Sequence, residues 1–232
     1  MSGLSAQNLK GMLGKAEKML GGNTSLSTEE AGKGLKEALN IGVGKAVDFL
    51  SVEDGYYKSA YKVLLPEEAR KVTSKLKAVP GFADAEEKMI LKINRAAEDA
   101  AKKAKPIFID AIKGMSFQDA MDILLGKDDA ATRYLENATY QNLFSEFLPV
   151  IQASLDKFNA RDYWRKAVNA HNKIPLTKKA NPELDDYVTK QALLGMFSLI
   201  QKKEEDIRKN QSSRTSDLLK KVFAKQDEGR DN

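Results

Sequence analysis

Apolar residues recur along this chain at intervals of three and four, the repeat of one helix face, and helix starts and stops bound each run. Phe144, Phe147, Leu148, Ile151, Leu155 and Phe158 form the strongest stripe, with a bend expected near Pro149. A second long stripe, Leu184, Val188, Leu193, Met196, Phe197, Ile200 and Ile207, follows Asn181-Pro182-Glu183, which reads as a helix cap. Earlier, Ser27 and Glu30 make a capping box ahead of Leu35, Leu39, Val43, Ala46, Val47 and Leu50. Gly42 and Gly44 interrupt that helix and are expected to let another helix come close. Pro66 with two glutamates behind it starts a helix that stops before Pro80. From about residue 83, Met89, Ile93, Ala96, Ala97, Ala100 and Ala104 predict a helix packed tightly on a neighbour, broken or kinked at Pro106. Shorter helices are expected over 160–172 and 213–224, and a loop over 51–65.

Residues 107–135 organise the rest. Ile107, Phe108, Ala111, Ile112 and Met115 continue the apolar face; Ser116 with Asp119 caps a short helix, Gly126 ends it, and Asp128 or Asp129 starts another bearing Ala131, Leu135 and Ala138. Two stops and two starts in one apolar span must fold the chain back inside a core. No segment alternates at period two, so the expectation is an all-α, single-domain multi-helix bundle of about eight to ten helices with short loops. Residues 1–24 form an amphipathic N-terminal helix and hinge, 25–224 the helical domain, and 225–232 a polar tail.

Composition narrows the chemistry. With no cysteine there are no disulfides, thiolate metal sites or cysteine nucleophiles, and with one histidine, His171, there is no multi-histidine metal cage. The 38 basic and 33 acidic residues give +5, spread too evenly for a typical nucleic-acid binder. Charges interrupt every apolar run before it reaches membrane-spanning length. The N-terminus lacks the pattern of a signal peptide, so a cytoplasmic location is expected as written, or the bacterial envelope if an export segment was removed. The amphipathic stretch 4–20 offers peripheral membrane contact as an alternative to ordinary packing.

Candidate sites are polar groups at helix flanks and ends. Asn94 and Glu98 lie four apart beside the alanine face, where they either hold a ligand or join an interhelical hydrogen-bond network. Asp128, Asp129, Thr132 and Arg133 gather at a helix start; they read as caps, or with Asp119 and Asp122 as oxygen ligands for a hard cation. Tyr187 opens the long late helix beside Asp185 and Asp186, and Arg208 and Arg214 bracket the last loop, where they pair with acids or clamp an anion. Arg161, Arg165, Lys166 and Lys173, interleaved with aromatics and facing Asp162 alone, form the best anion patch. No catalytic residue, metal site or cofactor is assigned. IGVGKA over 41–46 is not a phosphate loop, lacking the upstream glycine, the closing Ser or Thr and a preceding strand.

Read together, GLKEAL (34–39), DGYY (54–57), LLPEE (64–68), NRAAE (94–98), KPIF (105–108), the run 119–132 ending GKDDAAT, NPELDDYVT (181–189) and SDLLKKVF (216–223) resemble the family called "domain of unknown function 4197". The resemblance covers about residues 25–224. It implies a helical domain found mainly in bacteria, often behind an export signal or lipoprotein anchor, and it brings no activity. The function expected is a non-catalytic binding or interaction module for a protein partner or small ligand. The alternatives are a divalent-cation enzyme built on the acidic cluster and a membrane-surface structural protein.

Overall fold

The helical repeat becomes eight α-helices among the residues that the computed structural model describes, namely 28–67, 69–70, 84–157, 160–173, 175–176, 179, 181, 183–214 and 216–228. They are α1 (Thr28–Leu50), α2 (Ala85–Ala101), α3 (Ala104–Gly114), α4 (Phe117–Leu124), α5 (Ala130–Asp156), α6 (Ala160–Asn172), α7 (Leu184–Lys209) and α8 (Asp217–Glu228), with a 3-10 turn at Gln211–Ser213. The described residues contain no strand, and the fold is all-α. The stretch 4–20, the hinge after it, the Ser27 cap and most of the helix expected between Pro66 and Pro80 lie outside the described residues. The last helix starts later than expected, at Asp217, and runs on to Glu228, into the expected polar tail.

Two compact units emerge. One is the described part of Met1–Val43, Phe108–Ala138 and Ile200–Asn232; the other is the described part of Gly44–Ile107 and Thr139–Leu199. Their boundaries fall inside α1, α3, α5 and α7, so packing rather than chain order divides them.

In the first unit, Leu35, Phe108, Ile112, Leu135, Leu219 and Phe223 are almost fully buried. Each such side chain stabilises by roughly 1.5–3 kcal/mol. The turns of the 107–135 stretch are closed by specific caps. Lys36 Nζ donates to the carbonyls of Met115 (2.7 Å) and Lys113 (3.2 Å) at the end of α3. Ser116 and Asp119 form the expected capping box, with Asp119 N donating to Ser116 Oγ (3.0 Å) and Ser116 N to Asp119 Oδ2 (2.9 Å).

The second unit shows why alanine was placed where it was. Ala96, Ala97, Ala100, Ala101 and Ala104 have no exposed surface, which small side chains permit at a close helix approach. The chain does break near Pro106, but at residues 102–103 upstream of it: α2 ends at Ala101, and Pro106 sits in the first turn of α3, where a helix needs no N–H. Every fourth residue of α5 from Ala131 to Leu155 is buried. Pro149 faces outward, and α5 continues through it unbroken because the carbonyl it leaves unpaired is on the solvent side.

The glycines of α1 do not divide as expected. A Cβ on Gly44 would meet nothing within 4 Å, and one on Gly42 would make ordinary contact with Ile207 Cδ1 at 3.7 Å. The close approach is at Gly34, where a Cβ would fall 2.8 Å from Val222 Cγ2 and 3.0 Å from Leu218 Cγ of α8. Gly44→Ala should therefore raise unfolding stability by up to about 1 kcal/mol through helix propensity alone. Gly34→Ala should lower stability, since overpacking of roughly 1–3 kcal/mol exceeds the same propensity gain. Urea unfolding of both variants beside the parent checks the opposite signs.

Candidate functional site

Helix ends carry unpaired N–H and C=O groups, and the first unit satisfies four of them with two residues one turn apart on α7. Glu204 accepts from Ala131 N (2.9 Å) and Thr132 N (2.8 Å), the first amides of α5, and from Thr132 Oγ1 (2.8 Å). Arg208 pairs with Glu204 at 2.9 Å and donates to the carbonyls of Ile123 (2.8 Å) and Leu124 (3.4 Å), which end α4. An anion thus faces the positive end of one helix and a cation the negative end of another. Arg214 closes α7 itself, donating to the carbonyls of Ile207 and Arg208 at 3.0 Å each, and its guanidinium lies over the Phe223 ring. Glu204, Arg208, Thr132 and Arg214 are all buried.

Thr132 and Arg214 are therefore brought to one cluster. Asp128, Asp129 and Arg133 are not in it: Asp128 pairs with Lys209 (2.9 Å), while Arg133 bridges Asp129 (3.1 Å) and Glu136 (2.9 Å) at the surface. Asp119 and Asp122 bond to Ser116 and Gln118, and the Ser116 hydroxyl holds the Asp119 carboxyl below its usual value. Among the described residues no three carboxylate or histidine groups come together in a metal-holding arrangement.

In the second unit Asn94 and Glu98 fasten the 51–65 loop to α2. Asn94 Oδ1 accepts from Val63 N (2.8 Å), and its Nδ2 donates to the carbonyls of Val63 (2.8 Å) and Ile90 (2.7 Å). Glu98 Oε1 accepts from Tyr56 N and Tyr57 N at 3.1 Å each, and Oε2 from Arg95 Nη1 at 2.7 Å. Arg95 binds Glu98, Asp54 and Glu53; the Glu98 hydrogen bond above all keeps its pKa high. Asp54 takes a left-handed φ of 67°, and Gly55 follows so tightly that a Cβ would lie 2.3 Å from the Phe49 carbonyl. Tyr56 is fully buried, donates its hydroxyl to Ala192 O (2.8 Å), and has its pKa pushed up by that burial. Tyr187 donates to Leu64 O (3.1 Å), so Asn94, Glu98 and Tyr187 all hold one loop.

The expected anion patch divides. Arg161 binds Asp156 (Nε to Oδ1, 2.6 Å) and Asp185 (3.3 Å), and Arg165 binds Glu183 (2.9 Å) and Asp162 (3.8 Å). Asp156, Asp185 and Glu183 arrive from α5 and the start of α7, so local sequence counted only Asp162. Lys166 and Lys173 are exposed. The His171 side chain lies outside the described residues.

Cations collect elsewhere. Lys88, Leu91, Lys92, Arg95, Ala96 and Asp99 make one face of α2, and with Ser154 and Lys157 at the end of α5 they line an open groove of about 350 Å³. Asp99 is turned to Lys102 (2.8 Å), and Lys88 reaches Asp84 (2.8 Å). Burial, and then the charge of Lys88, holds the Lys92 ammonium below the usual lysine value. The signal for this site was present as Lys88, Lys92 and Arg95 at helical spacing, but the flanking acids Glu86, Glu87, Glu98 and Asp99 hid it. The apolar cleft of the first unit, beside Leu39, Ile207 and Phe223, has room for about 20 Å³, one water molecule.

The family model described as protein of unknown function (DUF4197) matches residues 25–224. The chain belongs to that family. No curated protein and no solved structure matches it. In this DUF4197 chain, several of the runs that carried the resemblance hold the fold: NRAAE fastens DGYY, GKDDAAT supplies the helix start that Glu204 caps, and SDLLKKVF brings Phe223 under Arg214.

Removing Glu204 strands a buried guanidinium and two helix amides. Glu204→Ala should cost about 3–5 kcal/mol, the range for breaking a buried ion pair from one side, as read by denaturant unfolding. Asn94→Ala and Glu98→Ala should speed hydrogen exchange at the Val63 amide and at the Tyr56 and Tyr57 amides respectively. Unchanged protection there would mean the loop is held by other contacts.

Proposed function

We propose that this DUF4197 chain is a non-catalytic helical module that binds a small ligand in the groove between α2 and the end of α5. The observation carrying this reading is the groove itself: about 350 Å³ of space with Leu91 in its wall and charged and hydroxyl groups around it. That volume lies at the small end of the range for ligand sites, roughly 300–1,000 Å³.

The groups a catalyst would need support no rival. Glu98, Glu204, Thr132 and Tyr56 are buried and occupied at loop and helix ends, and the acids around Asp128 have separate partners. A divalent-cation enzyme thus gains no supporting observation.

Native mass spectrometry of the protein purified without denaturation should show a retained small molecule. Leu91→Glu, which places a carboxylate in the groove wall, should abolish retention while leaving the helical circular dichroism unchanged. Equal retention by parent and variant would put the ligand elsewhere and end this assignment.

A further inference from the structure

We propose that this chain pairs reversibly with a second copy of itself through an exposed apolar strip of the second unit, formed by Phe49, Tyr61, Leu64 and Leu194.

Large apolar side chains left in water are the starting point. Phe49 and Leu64 are each 48% exposed, and Leu194 is 62% exposed. Three contacts join them. The Phe49 ring meets the Tyr61 ring edge-on, with centroids 6.4 Å apart. Tyr61 lies against α7 next to Leu194, since a Cβ on Gly195 would fall 3.4 Å from Tyr61 Cβ. Two turns earlier on the same helix, the Tyr187 hydroxyl donates to the Leu64 carbonyl at 3.1 Å. Tyr187 and Leu194 are seven residues apart and so share a helix face, which sets the 61–64 loop and the end of α1 along one side of α7. Exposed apolar residues scattered singly need no explanation, whereas a joined group marks a surface that another molecule covers.

The charges around the strip favour a copy of the chain as that molecule. Asp48 pairs with Lys105 (3.1 Å), Glu53 with Arg95 (3.1 Å), Lys58 with Asp54 (2.8 Å) and Lys190 with Asp186 (2.9 Å), and the Lys62 ammonium lies 4.2 Å from the centre of the Tyr57 ring. With its charges paired inside the unit, this rim has little field to draw an anionic membrane or a strongly charged protein. A two-fold dimer sets each strip against itself, where unpaired charges would meet their like across the axis. Here each of those charges already sits beside its own partner. Lys45, one turn before Phe49, is exposed and has no ion pair among the described residues; its long stem leaves the ammonium in water at the edge. Four side chains fall short of the roughly 800 Å² per partner of a stable complex, so the dimer forms only at high concentration.

Sedimentation equilibrium of the full chain, from about 10 µM to about 1 mM, reads this weak association. The weight-average mass should rise from 25.7 kDa toward twice that value. Leu194→Lys and Phe49→Lys should each weaken the dimer about tenfold or more, because each lysine would face its own copy across the axis. Both side chains are half in water, so the thermal melts should match the parent's, and two variants on separate helices keep the test decisive should one disturb folding. Leu176→Lys, at a wholly exposed leucine in the loop after α6, should leave the dimer unchanged. A parent that stays monomeric at the highest concentration, undiminished pairing in both strip variants, or equal weakening by Leu176→Lys overturns the proposal. So does binding of a monomeric parent to anionic lipid vesicles that both strip variants lose, which would assign the strip to a membrane surface.

Discussion

A buried carboxylate and a buried guanidinium, one turn apart on α7, hold together the part of the chain that reverses direction most sharply. Taken alone, a buried Glu204–Arg208 pair would gain little, because taking two charges out of water costs several kcal/mol for each ion. Here each charge also meets helix-end groups that would otherwise be unsatisfied: two amides and a hydroxyl for Glu204, two carbonyls for Arg208. The pair is stable because the helix ends need it, and α4 and α5 can end and begin inside a core because the pair is there. Lys36 at the end of α3 and Arg214 at the end of α7 extend the same device.

The second unit uses polar groups in the same way for a different purpose. Asn94, Glu98, Arg95 and Tyr187 fix a loop of irregular backbone against α2, so that its amides are paired although Tyr56 and Val63 are buried. Most of the polar side chains that stand out in this sequence are thereby committed to architecture. The groove on the neighbouring flank of the same helix is lined by Lys88, Leu91, Lys92 and Arg95, the last of which also holds the loop. One face of α2 buries alanines and the next gathers lysines.

The displacement of the expected cationic site has a plain electrostatic cause. Arg161 and Arg165 form long, fork-shaped donors beside helix termini, and acids from other segments reach them: Asp156, Asp185 and Glu183. The cations of α2, Lys88, Lys92 and Arg95, are flanked in sequence by Glu86, Glu87, Glu98 and Asp99, yet helical geometry gathers the three along one groove. Charge counted along a chain and charge counted on a surface are different quantities, and only the second attracts a ligand.

Local chemistry determined the elements. The three-and-four spacing of apolar residues, the Ser116–Asp119 box and the start at Ala160 were legible because they depend on residues within a turn or two of each other. So was the all-α class, which needs only the absence of period-two alternation. Tertiary structure alone decided the partners: Glu204 reads as a gap in an apolar stripe until Thr132, 72 residues away, is brought to it. Gly34, not Gly42 or Gly44, proved to be the close approach because α8 arrives there, and nothing local to α1 says so. Spacing within a helix is set by covalent geometry and is visible in the sequence; which ends and faces meet is set by packing between distant segments, and it appears only once the chain has folded.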